Sequence, residues 1–473
     1  MSKTITISPV SRVEGHGKVT IHLDENNEVK ESYFHVVEFR GFEQFTKGRL
    51  LSDMPVITTR ICGICPVSHH LASAKACDDV LGVDIPPAAK MLRELMHMGQ
   101  IINSHALHFF YLAAPDFILG PDADPAKRNI IGVIEKDPEL AKKAIAFRKI
   151  GQEIVECVGG RSIHPLTAIP GGMSKPLSHE DRFMLSKKIE KAIEYAQLSL
   201  TVGKSVFEKY ADLVPDFAKL DTHYMGLVKD GELELYDGDV RLIDKEGKKL
   251  EEFKSGSYLD YIGEHVEDWS YLKFPFYKKQ GFPEGVYRVG PLARLNTAER
   301  ISTPLAQKEF LEYKSIGSAI KSESLYYHYA RLIEMLYASE RAKELLADDE
   351  IVNHEVRIKV KRKAGEGIGI IEAPRGTLIH HYWADDMGKI EKVNLVVATV
   401  HNNQAMNMSV NDIARKHVRG GEIPESALNL VEMAIRCYDP CLSCSTHAVG
   451  QMPLEVKVLD HLGEIVSEIK RNS

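Results

Sequence analysis

The chain has 473 residues, of which 44% are hydrophobic and 27% charged, the balance of a globular protein large enough for two or three structural lobes. Its formal net charge of −7 leaves no basic excess to neutralise phosphates, which excludes nucleic acid as the main partner. No apolar run approaches the roughly 18–20 residues that span a bilayer.

Residues 3–38 alternate apolar and polar side chains, interrupted at residues 24–28, and read as antiparallel strands around a tight turn. The first twenty residues hold neither an apolar signal core nor a twin-arginine pair, so a cytoplasmic location is expected. A helix is predicted over 86–119, with Met91, Leu92, Leu95, Met98, Ile101 and Ile102 on one side and Pro115 and Gly120 near its end. Helical periodicity returns at 138–158, 181–214 and 304–347, and Ser178 with Asp181 opens the second of these as a cap. Segments 224–257 and 366–401 alternate like strands, and helices follow at about 404–417 and 424–437. Neither a repeat nor a low-complexity linker divides the chain. The fold class is α+β, mainly helical, with small antiparallel sheets towards both ends.

Seven cysteines occur, an odd number that does not suggest a disulfide framework in a large chain. Four form two pairs, Cys62-Gly-Ile-Cys65 and Cys441-Leu-Ser-Cys444. Each pair can converge two thiolates on one metal, and four such soft donors suit nickel, zinc, copper(I) or iron. Zinc ribbons space their pairs about 15–20 residues apart, whereas here 441 − 65 = 376 positions separate them. A structural zinc site and a redox-active centre both remain open on spacing alone.

The flanks narrow the choice. The pairs sit within Arg60-Ile-Cys-Gly-Ile-Cys-Pro-Val-Ser-His69 and Asp439-Pro-Cys-Leu-Ser-Cys-Ser-Thr-His447. They are accompanied, in order, by Ser11-Arg-Val-Glu-Gly-His16, Arg40-Gly-Phe-Glu43 and Glu372-Ala-Pro-Arg-Gly376. This joint pattern resembles the large, catalytic subunits of [NiFe]-hydrogenases over essentially the whole chain. The resemblance implies a single domain over 1–447, helical at its centre (86–214 and 304–347) and strand-rich at 1–45 and 366–401. Residues 448–473 would form an extension removed on maturation.

Residue by residue, the resemblance implies that Cys62 and Cys441 are terminal thiolates on nickel, and that Cys65 and Cys444 bridge nickel to an iron carrying carbon monoxide and two cyanides. Glu14 matches the family's proton-relay glutamate, with Cys441 the thiolate that hands it the proton. Glu43 and His447 resemble ligands of a magnesium-type ion. Arg375 matches the guanidinium held over the metals, in a pocket shaped by Pro374 and Asp439. His69 is placed to donate a hydrogen bond to a bridging sulfur. Ser104 departs from the pattern: the membrane-bound branch commonly has an aspartate there. Cys77, Cys157 and Cys437 match no ligand and are expected as buried small side chains.

The implied reaction is reversible heterolytic cleavage of hydrogen to protons and electrons. The three remaining cysteines cannot make a four-cysteine cluster, so an iron–sulfur small subunit must carry electrons away. Further flavin or iron–sulfur subunits are implied, reaching NAD(P), ferredoxin or heterodisulfide reductase, together with a maturation protease and nickel-insertion proteins. No Gly-x-Gly-x-x-Gly fingerprint follows a strand, so a dinucleotide is not expected to bind here. The competing readings are a structural zinc protein and a complex I component of shared fold, which lacks the four cysteines.

Overall fold

The computed structural model describes residues 4–36, 38, 39, 41–419 and 424–446, and the backbone of the paired strands Leu454–Leu459 and Ile465–Arg471. The tail's sequence alternates like two strands around a turn expected at 460–463, and those four residues lie outside the described ones. The chain begins with an antiparallel sheet of β1 (Thr4–Ile7), β2 (Gly17–Leu23) and β3 (Val29–Val36). Val19, Ile21 and Leu23 of β2 point inward and the residues between them outward, the period-2 pattern visible in the sequence.

The centre is helical. Helix α1 (Pro66–Leu81) starts directly after Cys65, with Pro66 at its first position where no amide donor is needed, and stops at Gly82 in the left-handed conformation. Helix α2 (Pro87–Leu107) packs beside α3 (Pro138–Gly159), and α4 (His179–Lys209) is capped by Ser178, whose side chain accepts the Asp181 amide. Beyond Leu107 the helix expected to run to 119 widens into a π-helical stretch, His108–Ala113, before closing at Ala114–Ile118.

The helix expected over 304–347 is broken. Pro304–Ser315 ends before Gly317, which takes a φ of +57°, and α5 (Tyr326–Ala347) starts afresh. The loop between them is held by Lys321, whose amine donates to the carbonyls of Ile316 and Ser318. Between α4 and α5 in sequence lies a sheet built on His223–Lys229, Asp239–Ile243 and Lys249–Phe253, with a short parallel pairing to Tyr287–Arg288.

A second antiparallel sheet, β4 (Gly365–Ala373), β5 (Gly376–Ala384) and β6 (Ile390–Val396), lies against α1. The approach is so close that a β-carbon on Gly369 would stand 2.0 Å from the Ala72 carbonyl oxygen. On Gly367 it would meet the Val80 amide at 2.3 Å. Contacts therefore move towards the N-terminus of α1 as β4 advances. The end of β4, where Pro374 and Arg375 follow, is delivered to the Cys65 end of the helix.

Helices α6 (Asn403–His417) and α7 (Glu425–Cys437) then pack together and lead to the last cysteines. Among the described residues, no helix is long and apolar enough to cross a membrane.

Candidate metal centre

Cys62 leaves a 3₁₀ turn in an extended conformation, and the Ile64 amide points back at its sulfur at 3.2 Å. Cys65 caps α1. Cys441 is extended ahead of the short helix Leu442–Ser445, which carries Cys444, and its own amide is taken up by Thr399 Oγ1 at 2.9 Å. The two remote pairs meet. Sγ separations are 3.0 Å for Cys62–Cys441, 3.2 Å for Cys65–Cys444 and 3.0 Å for Cys441–Cys444, and all four sulfurs lie within 4.8 Å of one another.

All four are buried. Hydrogen bonds from the neighbouring cysteines hold the Cys62 thiol well below its usual range, while burial pushes Cys441 and Cys444 well up. Four crowded, buried sulfurs are a costly arrangement unless a cation lies among them to favour the thiolate forms. A nickel–iron pair fits this donor set, which is soft and convergent.

Arg375 stands beside the sulfurs, its guanidinium donating to Asp439 Oδ1 at 3.0 Å and Ser104 Oγ at 3.3 Å. Burial opposes its charge, but Asp439 and the cysteine sulfurs outweigh burial and raise its pKa. Asp439 adopts a left-handed φ of +53°, and burial pushes its carboxyl up to about 6 against the pull of Arg375 and Arg331. Pro374, Arg375 and His69 line one small cavity together with Cys65, Cys441 and Cys444. His69 Nδ1 lies 3.0 Å from His380 Nε2.

Glu14 reaches the centre from the N-terminal segment. Its Oε2 lies 2.9 Å from Cys441 Sγ and accepts the Ser443 amide at 3.1 Å, while its backbone carbonyl accepts the Leu442 amide at 3.0 Å. Beyond it, Ser443 Oγ donates to Glu38 Oε2 at 3.3 Å, and Glu38 pairs with the solvent-facing His16.

Glu43 sits against β6. Its Oε1 accepts the Leu395 amide at 2.8 Å, and burial raises its carboxyl above the usual range. His447 lies outside the described residues, but the Gly41 amide donates to the Thr446 carbonyl at 3.1 Å, which brings the Glu43 loop to the residue just before it. Of the unassigned cysteines, Cys77 and Cys437 are buried as expected. Cys157 is only half-buried, because it falls on the border between the packed and outer faces of α3.

Sequence reasoning missed Thr399, Glu38, and the pair Arg294 and Glu334. Thr399, Glu38 and Glu334 carry no local motif. Arg294 lies in the stretch GVYRVGPLARLN, which does not reveal what the arginine touches.

A mainly helical body whose distant cysteine pairs close on one buried four-sulfur site defines a metalloenzyme of the hydrogenase type. The chain belongs to the nickel-dependent hydrogenase family, as its large-subunit type: the family model described as Nickel-dependent hydrogenase matches residues 40–133 and 230–447, and a HoxL-like model matches residues 4–39. It is similar to the vhu F420-non-reducing hydrogenase of Methanocaldococcus jannaschii, being 52% identical over 87% of this chain and 98% of the corresponding chain there. It is also similar to the beta chain of the NAD-reducing hydrogenase HoxS of Cupriavidus necator, 43% identical over 100% of both chains. Among solved structures, an NAD⁺-reducing [NiFe]-hydrogenase in the H2-reduced state superposes with a TM-score of 0.92 at 44% identity, over 94% of this chain and 99% of that one. The protein is thus an oxidoreductase of the hydrogenase class, and the structural-zinc and complex I readings fall away.

Proposed function

We propose that hydrogen is cleaved on this chain, reversibly and heterolytically, into protons and electrons. The observation that carries the reading is the contact of Glu14 Oε2 with Cys441 Sγ, at 2.9 Å, inside the four-sulfur cluster. Cys62 and Cys441 would hold nickel, and Cys65 and Cys444 would hold nickel together with an iron bearing carbon monoxide and two cyanides. When bound, this pair supplies the polarisation that splits hydrogen.

The protein's own part is proton handling and electrostatics. Cys441 Sγ receives the proton, and Glu14, held at hydrogen-bond distance, takes it onward, so the carboxylate needs no movement to act as base. Arg375 holds a permanent positive charge beside the sulfurs, kept in place by Asp439 and Ser104. His69 and Pro374 wall the pocket on the Cys65 side. A magnesium-type ion would be held by Glu43 and His447.

Among the described residues the four cysteines form the one metal-competent cluster of histidine, cysteine and carboxylate groups. Electrons would leave through an iron–sulfur small subunit, and further flavin or iron–sulfur subunits would deliver them. The similar proteins named F420-non-reducing and NAD-reducing hydrogenases favour a soluble acceptor, NAD(P), ferredoxin or heterodisulfide reductase, in the cytoplasm. A maturation protease would cut the His447–Ala448 bond once nickel-insertion proteins have done their work.

The test is purification of the native complex with nickel and iron analysis, infrared spectroscopy and hydrogen–deuterium exchange. The reading requires both metals, bands from bound carbon monoxide and cyanide, and exchange activity. A zinc-loaded, exchange-silent protein would end it, and the co-purifying subunits identify the acceptor.

A further inference from the structure

Arg294, on the short helix Pro291–Thr297, is wholly buried and makes five hydrogen bonds. Its Nε and one terminal nitrogen grip the two carboxylate oxygens of Glu334, at 2.7 and 2.6 Å. The other terminal nitrogen donates to Glu372 Oε2 and to the Ala373 carbonyl, both at 2.8 Å, and the Pro374 carbonyl lies 3.2 Å from the first. A core ion pair would need only the carboxylates. Here the same planar fork also grips the carbonyls of the two residues that immediately precede Arg375.

The far end of Arg375 is tied to the same pair. Its guanidinium donates to Ser104, and the next residue on α2, His105, contacts Glu334 Oε2 through Nε2 at 2.8 Å. Burial lowers the His105 pKa to about 4, so the ring is neutral and Nε2–H is the donor. Burial alone would raise the Glu334 carboxyl, but Arg294 outweighs it and holds the group at about 2. Glu372 is fixed in turn by Thr377 Oγ1 at 2.7 Å and by the Leu227 amide at 3.1 Å. The Gly290 backbone also packs closely on this turn: a β-carbon there would come within 2.8 Å of the Arg375 carbonyl oxygen.

We propose that Arg294 is a positioning residue, which with Glu334 fixes both the turn that launches Arg375 and the helical turn that receives its guanidinium. This rests on the reading of Arg375 as the charge that serves the reaction. Lysine keeps the charge of Arg294 but has no planar fork with which to hold two carboxylates and two carbonyls at once.

The test is a double-mutant cycle in the nickel-loaded complex, using Arg294→Lys and Arg375→Lys singly and together. It is read as kcat for hydrogen oxidation, nickel content, and infrared frequencies of the iron's diatomic ligands. Arg294→Lys should lower kcat about tenfold or more at unchanged nickel content, and cost nothing further once Arg375 is lysine, because residues acting as one unit are non-additive. Its infrared bands should shift in the same sense as those of Arg375→Lys. Losses that multiply, or unshifted bands, would overturn the proposal. Glu334→Gln takes the place of Arg294→Lys in the cycle if that variant fails to load nickel, and nickel loss in both assigns the pair to folding and overturns it too. Full activity of Arg375→Lys alone sinks the reading of Arg375 first, a result distinct from multiplied losses, which sink only the positioning.

Discussion

Glu14 and Cys441 meet through backbone and side chain at once: residue 14 forms a parallel bridge to residue 441, and the carboxylate lies 2.9 Å from the sulfur. The Leu442 and Ser443 amides both donate to Glu14, one to its carbonyl and one to its carboxylate. The Leu442 amide therefore fixes the backbone of residue 14, and the Ser443 amide, a main-chain donor with no rotamer to change, aims its carboxylate at Cys441.

Replacing Glu14 by glutamine keeps this geometry and removes only the ability to take a proton. Hydrogen–deuterium exchange should fall roughly 10²–10⁴-fold, the usual range for loss of a general base, with nickel content unchanged. A metal-loaded Glu14→Gln enzyme that exchanges at the parent rate would remove Glu14 from the proton path.

Thr399 accepts the Cys441 amide from a position 42 residues away. Thr399→Val preserves shape but leaves that buried amide without its acceptor, a loss of about 1–3 kcal/mol. The expected outcome is a lower thermal midpoint and faster nickel release to a chelator. Unchanged nickel retention would show that the metal ligands hold Cys441 in place without Thr399.

His70 makes stability depend on acid. Its Nδ1 faces the Pro55 carbonyl at 2.7 Å, and its Nε2 accepts the Ala168 amide at 2.9 Å, so the ring is fixed as the neutral Nδ1–H tautomer. Burial lowers its pKa from 6.5 to about 4. Between those values the unfolded chain binds a proton that the folded chain does not. The stability contribution is thus complete above about pH 6.5 and lost as pH falls, at up to about 1.4 kcal/mol per pH unit. Urea midpoints measured from pH 7 to pH 4.5 should fall less steeply in His70→Gln than in the parent, and equal slopes would refute the assignment.

The mature protein should end at His447. Intact mass of the active, nickel-loaded form decides this: a chain extending to Ser473 means that maturation proceeds without cleavage.

Much of the architecture is legible where the pattern is local. The alternation of Val19, Ile21 and Leu23 gives the inward face of β2, and Ser178 with Asp181 marks the start of α4. The break between Ser315 and Tyr326 is not legible, since apolar residues recur at helical spacing on both sides and only Gly317 interrupts them. The widening at His108–Ala113 leaves no compositional trace either. In the site, the cysteines, Glu14 and Arg375 stand out because each lies in a short motif. Arg294, Glu334 and Thr399 do not, because their work is done through backbone groups and carboxylates far away in sequence. Ser104 stands out as a departure from the family pattern, but its bond to Arg375 spans 271 positions and leaves no local sign.

The bridge between residues 14 and 441 also constrains the order of events during synthesis. While the ribosome is still translating the middle of the chain, Cys62 and Cys65 can offer at most two thiolates, and Glu14 has no partner strand. Contacts that span more than 400 positions are the last a growing chain can make. The four-donor cage therefore comes into being only after nearly the whole polypeptide has emerged, and a nascent chain presents a half-site open to any thiol-seeking ion in the cell.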